Sequence, residues 1–191
     1  RMAAVSDTAV REDLAFAGAA ALAEKLRDRE VSSRELTEMF LERTERIDPQ
    51  LNAFRVVWRD EALAAADEAD KRIAAGEEAP LLGVPIAIKD TVDVAGDVTM
   101  LGTDGFNRPA AKDSEIVARL RDAGAVILGK TNLPELAIHG FTESKTHGIT
   151  RNPWNTERTP GGSSGGSGAA VAAGMAAIAH ASDGAGSIRY P

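Results

Sequence analysis

Two apolar runs joined through one amphipathic helix constrain this chain more than any other feature. "GVPIAIKD" contains Val84 to Ile88, a nearly continuous β-rich run ending at Lys89. Such a run is expected of a strand buried on both faces. "DSEIVARLRDAGAVILGKTN" then reads as a capped helix, a Gly turn and a second buried strand, "AVILGK". The strand–helix–strand rhythm predicts an α/β fold: a mixed, largely parallel sheet flanked by helices.

The N-terminal part reads as helices packed on that core. Apolar spacing around Leu14, Ala17, Ala21, Leu22 and Leu26 predicts a helix over 12–29. Ser33 is placed to cap a second helix whose Leu36, Phe40 and Ile47 share a face, with Pro49 as its stop. "AFRVV" reads as a short strand, and "DEALAAADEADKRIAAG" as a third helix closed by Gly76. The polar faces of these pieces are acidic and carry no catalytic grouping. Residues 1–80 are therefore expected to be structural, with the α/β core over 81–191. From "LPELAIHGF" to "RNPWNTERTP" the sequence predicts one short helix and a long irregular loop.

Composition narrows the classes of function. The 191 residues are 43% hydrophobic and 27% charged, as in a soluble globular protein with a real core. Net charge is −7 with Lys and Arg scattered, which argues against a nucleic-acid partner. No cysteine is present, which excludes disulfides, a thiolate nucleophile and Cys-ligated zinc, and fits a reducing, cytoplasmic compartment. No apolar run is long enough to span a membrane, and no H-E-x-x-H motif suggests a metal. Neither metal nor organic cofactor is expected.

The stretch from Pro160 to Pro191, "PGGSSGGSGAAVAAGMAAIAHASDGAGSIRYP", looks at first like a flexible linker. A linker would continue polar. This one runs into Ala and Val at helical spacing and then into "AAIAHAS", which reads as a buried strand. A helix over 165–174 carries the chain about 15 Å away at ~1.5 Å per residue. A strand of five or six residues returns it about 17–20 Å. Ser163 and Ser187 can therefore meet although 24 positions separate them. Both would lie at one end of the sheet, where α/β folds place their sites.

Other glycine motifs fit poorly. A Walker loop needs a Lys that is absent, and a dinucleotide fingerprint needs a preceding strand, which "NPWNTERTP" is not. The G-x-S-x-G match from Gly162 to Gly166 would nominate Ser164 as nucleophile, but it needs the same missing strand. His139 and His147 lie in loop-rich sequence, and His180 lies in an apolar strand where a core role is expected. Lys89, ending a buried strand, is the better candidate base, because desolvation lowers a lysine pKa. Asp90 would point to the opposite face and need not hold Lys89 charged.

Taken together, "GVPIAIKD", "GKTNLPELA", "TRNPWNTERTPGGSSGGS", "GGSSGGSGAAVAAG" and "SDGAGSIRYP" closely resemble the amidase signature family. The likeness covers the chain from about Leu81 to its end, and implies the N-terminal portion of that family's fold. It implies a Ser–cis-Ser–Lys triad: Ser187 as nucleophile, Ser163 as the bridging serine in a cis peptide, Lys89 as base. It also implies an oxyanion hole from the backbone N–H groups of Gly184, Ala185, Gly186 and Ser187. Many members carry glycine where Ala185 stands. The implied reaction is hydrolysis of a small-molecule carboxamide through a seryl acyl-enzyme. Lys89 must be neutral to accept a proton, and lowering its pKa from about 10.4 to about 7–8 requires roughly 4 kcal/mol from burial and neighbours. Family members continue well beyond the point matching Pro191, so the rest of the same enzyme, C-terminal to residue 191, is an expected partner. A homodimer stays open. Two further readings stand beside the hydrolase: the A subunit of a glutamine-dependent amidotransferase, and a non-enzymatic scaffold. Such A subunits typically carry Gln where this chain has Tyr190, which is expected to face either the substrate or the core.

Overall fold

The computed structural model describes residues 8–191. Its centre is a four-stranded sheet in the order β1–β3–β2–β6, with β1 at Phe54–Val57, β2 at Pro85–Lys89, β3 at Val126–Thr131 and β6 at Ile178–Ala179. β2 runs parallel to β3 and to β6, and β1 is antiparallel to β3. The mixed, largely parallel sheet expected from the sequence is therefore present. Every residue of β2 and β3 is buried, which is why both read as unbroken apolar runs.

Helices cover the sheet: α1 at Thr8–Ala15, α2 at Gly18–Arg27, α3 at Ser33–Leu51, α4 at Arg59–Ala74, α5 at Glu115–Asp122 and α6 at Gly165–Ala172. α5 is the crossover between β2 and β3. A single core unites Leu22, Leu26, Leu36 and Phe40 from the helices with Val84, Ile86, Ile88 and Leu128 from the strands. Small residues, among them Ala62, Ala66, Ala169 and Ala170, make up much of it, so helix and sheet backbones approach closely.

Local readings needed four corrections. The helix expected over 12–29 is two helices, broken at Phe16 and Ala17. Gly18 takes φ +80, a left-handed conformation that ends regular winding. The break lets Leu14 and Ala15 on one piece and Leu22 and Leu26 on the other all reach the core. The cap of α3 is Ser32, not Ser33. Ser32 accepts from the Glu35 N–H and the Glu35 carboxylate accepts from the Ser32 N–H, a reciprocal capping box. Ser33 is instead buried, donating to the Gly83 carbonyl at 2.9 Å. Pro49 does not stop α3, because in the last turn it forgoes only its own N–H bond. The stop is Asn52, in a left-handed conformation at φ 52. Finally, β6 has two ladder residues where five or six were expected. It pairs only with β2, and its last sheet bond is His180 N–H to the Ala87 carbonyl at 2.8 Å.

The N-terminal segment is also more than packing. β1 is a strand of the central sheet, so the sheet crosses the boundary expected at residue 80. The irregular loop before the Gly-Ser stretch contains a 3-10 turn at Glu135–Ala137 and a small hairpin of β4 (Glu143–Ser144) and β5 (Gly148–Ile149). Among the described residues no helix is long and apolar enough to cross a membrane.

Candidate active site

Lys89 ends β2 with its side chain fully buried. Its ammonium nitrogen donates to Ser163 Oγ at 2.8 Å and to Ser182 Oγ at 2.9 Å. Desolvation lowers its pKa to about 8, and the carboxylate of Asp183 opposes that shift. A group with that pKa spends a useful fraction of its time neutral near physiological pH, as a general base must.

The glycines around Ser163 are there for proximity rather than looseness. A Cβ on Gly162 would come within 2.8 Å of the Phe141 backbone. One on Gly161, which also has φ +95, would come within 2.8 Å of the Tyr190 and Pro191 backbone. One on Gly166 would collide with the Asn132 backbone and meet the Ala53 carbonyl at 2.6 Å. The loop thus threads between neighbouring backbones and delivers Ser163, buried, to the end of β2. The Gly162–Ser163 peptide is cis.

Ser187 arrives from the other Gly-Ser turn. Its carbonyl accepts from the Ser164 N–H at 3.2 Å, so the two turns expected to converge do lie side by side. Asp183 organises the Ser187 loop. Its carboxylate accepts from the N–H groups of Gly186 at 2.7 Å and Ile188 at 3.1 Å, and from the Arg189 guanidinium at 2.9 and 3.0 Å. Those bonds, Arg189 foremost, hold the Asp183 pKa well below the usual carboxylate range. Gly186 N–H is therefore committed within its own loop. Among the described residues the N–H groups of Gly184, Ala185 and Ser187 have no acceptor.

Ser164 serves the loop rather than a nucleophilic role. Its hydroxyl donates to the Ser182 carbonyl at 3.1 Å and accepts from the Ser182 N–H at 3.3 Å. Tyr190 is 68% exposed. Its ring lies over Gly186, where a Cβ would approach within 2.5 Å, and near Gly140.

Asp90 faces away from Lys89, as strand alternation requires. It is fully buried, pairing with Lys130 and Arg55 at 3.0 Å each. Asp97 completes the cluster through Lys130 at 3.2 Å and a close contact with Arg55. Burial raises the Asp90 pKa against the pull of Arg55 and Lys130. Because these charges compensate one another, Asp90 does not hold Lys89 in its charged form.

The histidines stay outside the Lys89–Ser163 pair. His139 stacks on Phe141 with ring centroids 5.0 Å apart. His147 lies in the β4–β5 hairpin, its carbonyl bound by Asn52 at 2.6 Å. His180 is half-buried, and burial and the nearby Lys89 charge lower its pKa. Among the described residues no group of three or more His, Asp or Glu side chains is placed to hold a metal ion. Two contributors escaped the sequence reading: Ser182, on Lys89, and Asp183, which builds the Ser187 loop. Only the position of "SD" at the end of the predicted strand could have pointed to them.

The strand β2 thus ends in a buried lysine that is met by two glycine-serine turns. The Amidase family model matches residues 35–191, and the chain belongs to the amidase signature family. It is 60% identical over 179 residues to AmiB2 of Mycobacterium tuberculosis, named as an amidase, covering 94% of this chain and 39% of AmiB2. It is 51% identical over 166 residues to the A subunit of a glutamyl-tRNA(Gln) amidotransferase from Azoarcus sp., covering 85% of this chain and 34% of that protein. A bacterial aryl acylamidase of the amidase signature family superposes with a TM-score of 0.85 at 35% identity, covering 92% of this chain and 37% of that one. The chain thus spans well under half the length of the proteins it matches.

Proposed function

We propose that this chain carries the triad of an amidohydrolase, with Ser187 as nucleophile, Ser163 as proton relay and Lys89 as base. Ser187 Oγ attacks the amide carbonyl carbon. Its proton passes to Ser163, whose own proton passes to the neutral Lys89 amine. The tetrahedral oxyanion is bound by the free N–H groups of Gly184, Ala185 and Ser187, with Gly186 N–H held by Asp183. Lys89 returns the proton through Ser163 to the departing nitrogen, and the C–N bond breaks. Water then repeats the sequence on the acyl-enzyme and releases the carboxylic acid.

The observation that carries this reading is the contact between Lys89 and Ser163, made by a lysine buried enough to titrate near 8. Exposed apolar side chains beside the loop, Tyr190, Phe141 and Ile188, favour an apolar acyl group. The test is reaction of the full chain with a serine-reactive phosphonate, read by mass and peptide mapping. One adduct on Ser187 is expected. No adduct on the complete, folded enzyme would favour the non-enzymatic scaffold.

The amidotransferase reading is retained as a second one because a relative of that name shares 51% identity. A panel of simple carboxamides beside glutamine separates the two. Turnover of apolar amides with little glutaminase activity supports the stand-alone amidase. Glutamine as the only good substrate, with a second protein required for activity, overturns it.

A further inference from the structure

Lys89 touches two hydroxyls, and the triad uses one of them. We infer that Ser182 is a positioning residue for Lys89, anchoring one N–H so that the amine lone pair faces Ser163. The inference rests on the proposed role of Lys89.

A neutral amine has two N–H groups and one lone pair. To accept the Ser163 proton, the lone pair must point at Ser163 Oγ. The four-carbon stem of lysine leaves the amine free to rotate, so something must select that rotamer. Ser182 Oγ, 2.9 Å away, accepts one N–H and does so from the opposite Gly-Ser turn. When Lys89 becomes an ammonium, the same oxygen is a second acceptor beside Ser163, and stabilises the charge that forms. Ser182 thus acts on both states, by direction in one and by hydrogen bonding in the other.

The surroundings leave few competitors for this task. Asp183, next to Ser182, has its carboxylate committed to Arg189 and to its own loop. His180, on the strand entering the turn, has its pKa lowered by burial and by the Lys89 charge. Asp90, Lys130 and Arg55 pair with one another on the other face. The Ser182 backbone is fixed independently, since its N–H and carbonyl are both bound by the Ser164 hydroxyl. Changing the Ser182 side chain therefore leaves the turn in place.

Ser182→Val and Ser182→Thr make the test, because the two side chains have nearly the same shape and differ in the hydroxyl. Ser182→Ala replaces the valine variant if that one fails to fold. Two readouts are taken on the full chain: the rate of phosphonate labelling at Ser187, and the titration midpoint of Lys89 by NMR of 13C-labelled lysine, assigned against Lys89→Met. The valine variant should label about tenfold more slowly, the loss of one hydrogen bond to a charged group, and the threonine variant within about twofold of the unmodified chain. The Lys89 midpoint should fall in the valine variant, because the ammonium loses an acceptor, and recover in the threonine variant. Equal labelling rates and equal midpoints in both variants overturn the inference. If the unmodified chain is not labelled at all, the proposed triad fails instead, and the lysine titration still decides the Ser182 contact.

Discussion

The proposed base role of Lys89 makes sharp predictions. Lys89→Ala should lose at least about a hundredfold in the rate of amide hydrolysis. Lys89→Arg should fare no better, since a guanidinium stays charged and cannot accept the Ser163 proton. Below about 8 the lysine is protonated, so log kcat/KM should rise with unit slope as pH increases and level off above that value. A profile flat from pH 6 to 9 would remove Lys89 from the base role. Tyr190→Gln should lower kcat/KM for apolar amides by about tenfold, because the proposed site loses an exposed aromatic ring beside the Ser187 loop. The candidate base was legible because it ends a buried run. Ser182 was not, because its partnership with Lys89 joins residues 93 apart in the chain.

At the scale of elements, the parallel pair β2–β3 sets the position of the lysine, and a buried charge cluster ties its end. Lys130 on β3 and Arg55 on β1 both hold Asp90, the residue after β2. Lys130→Met should cost about 3–5 kcal/mol in urea unfolding, since it leaves Asp90 buried with one cation fewer. Asp90→Asn should cost a similar amount, because it leaves the buried Lys130 and Arg55 with Asp97 as their one remaining carboxylate partner in the cluster. α6 makes a second demand. Its Gly166 packs against the backbone of Asn132 and Ala53, and Gly166→Ala should cost about 1–3 kcal/mol or more through overpacking. The existence of these elements could be read from period and length. Their ends could not always be read: Pro49 looked like a stop and was tolerated, while Gly18 broke a helix whose apolar spacing ran on without interruption.

For the whole molecule, the buried lysine makes stability depend on pH in a defined direction. The folded-state pKa of Lys89 is near 8 and the unfolded value is 10.5. Between them the unfolded chain binds the extra proton, so stability rises with pH across that window and is lost as pH falls through 8. Urea midpoints should increase from pH 8 to 10, and Lys89→Met should flatten that increase. Lys89→Met should also be more stable than the unmodified chain at pH 7, where the native state otherwise buries a charge. His147 and His180, both lowered chiefly by burial, add a loss of the same sign below about 6.5.

What the sequence determined by itself was the class of the fold and the set of candidate chemical groups. The runs Val84–Lys89 and Val126–Thr131 bury both faces, and only a sheet covered by helices satisfies that pattern. The Gly-Ser turns announced their importance because a linker does not continue into core. Tertiary structure decided what those groups could do. It set β1 antiparallel in the same sheet, closed Asp90 onto Lys130 and Arg55 rather than leaving it to affect Lys89, and committed Gly186 N–H to Asp183. It also gave Lys89 a second serine. Each of these outcomes depends on contacts between segments far apart in the chain, and on the desolvation those contacts produce. Neither quantity exists until the chain has folded.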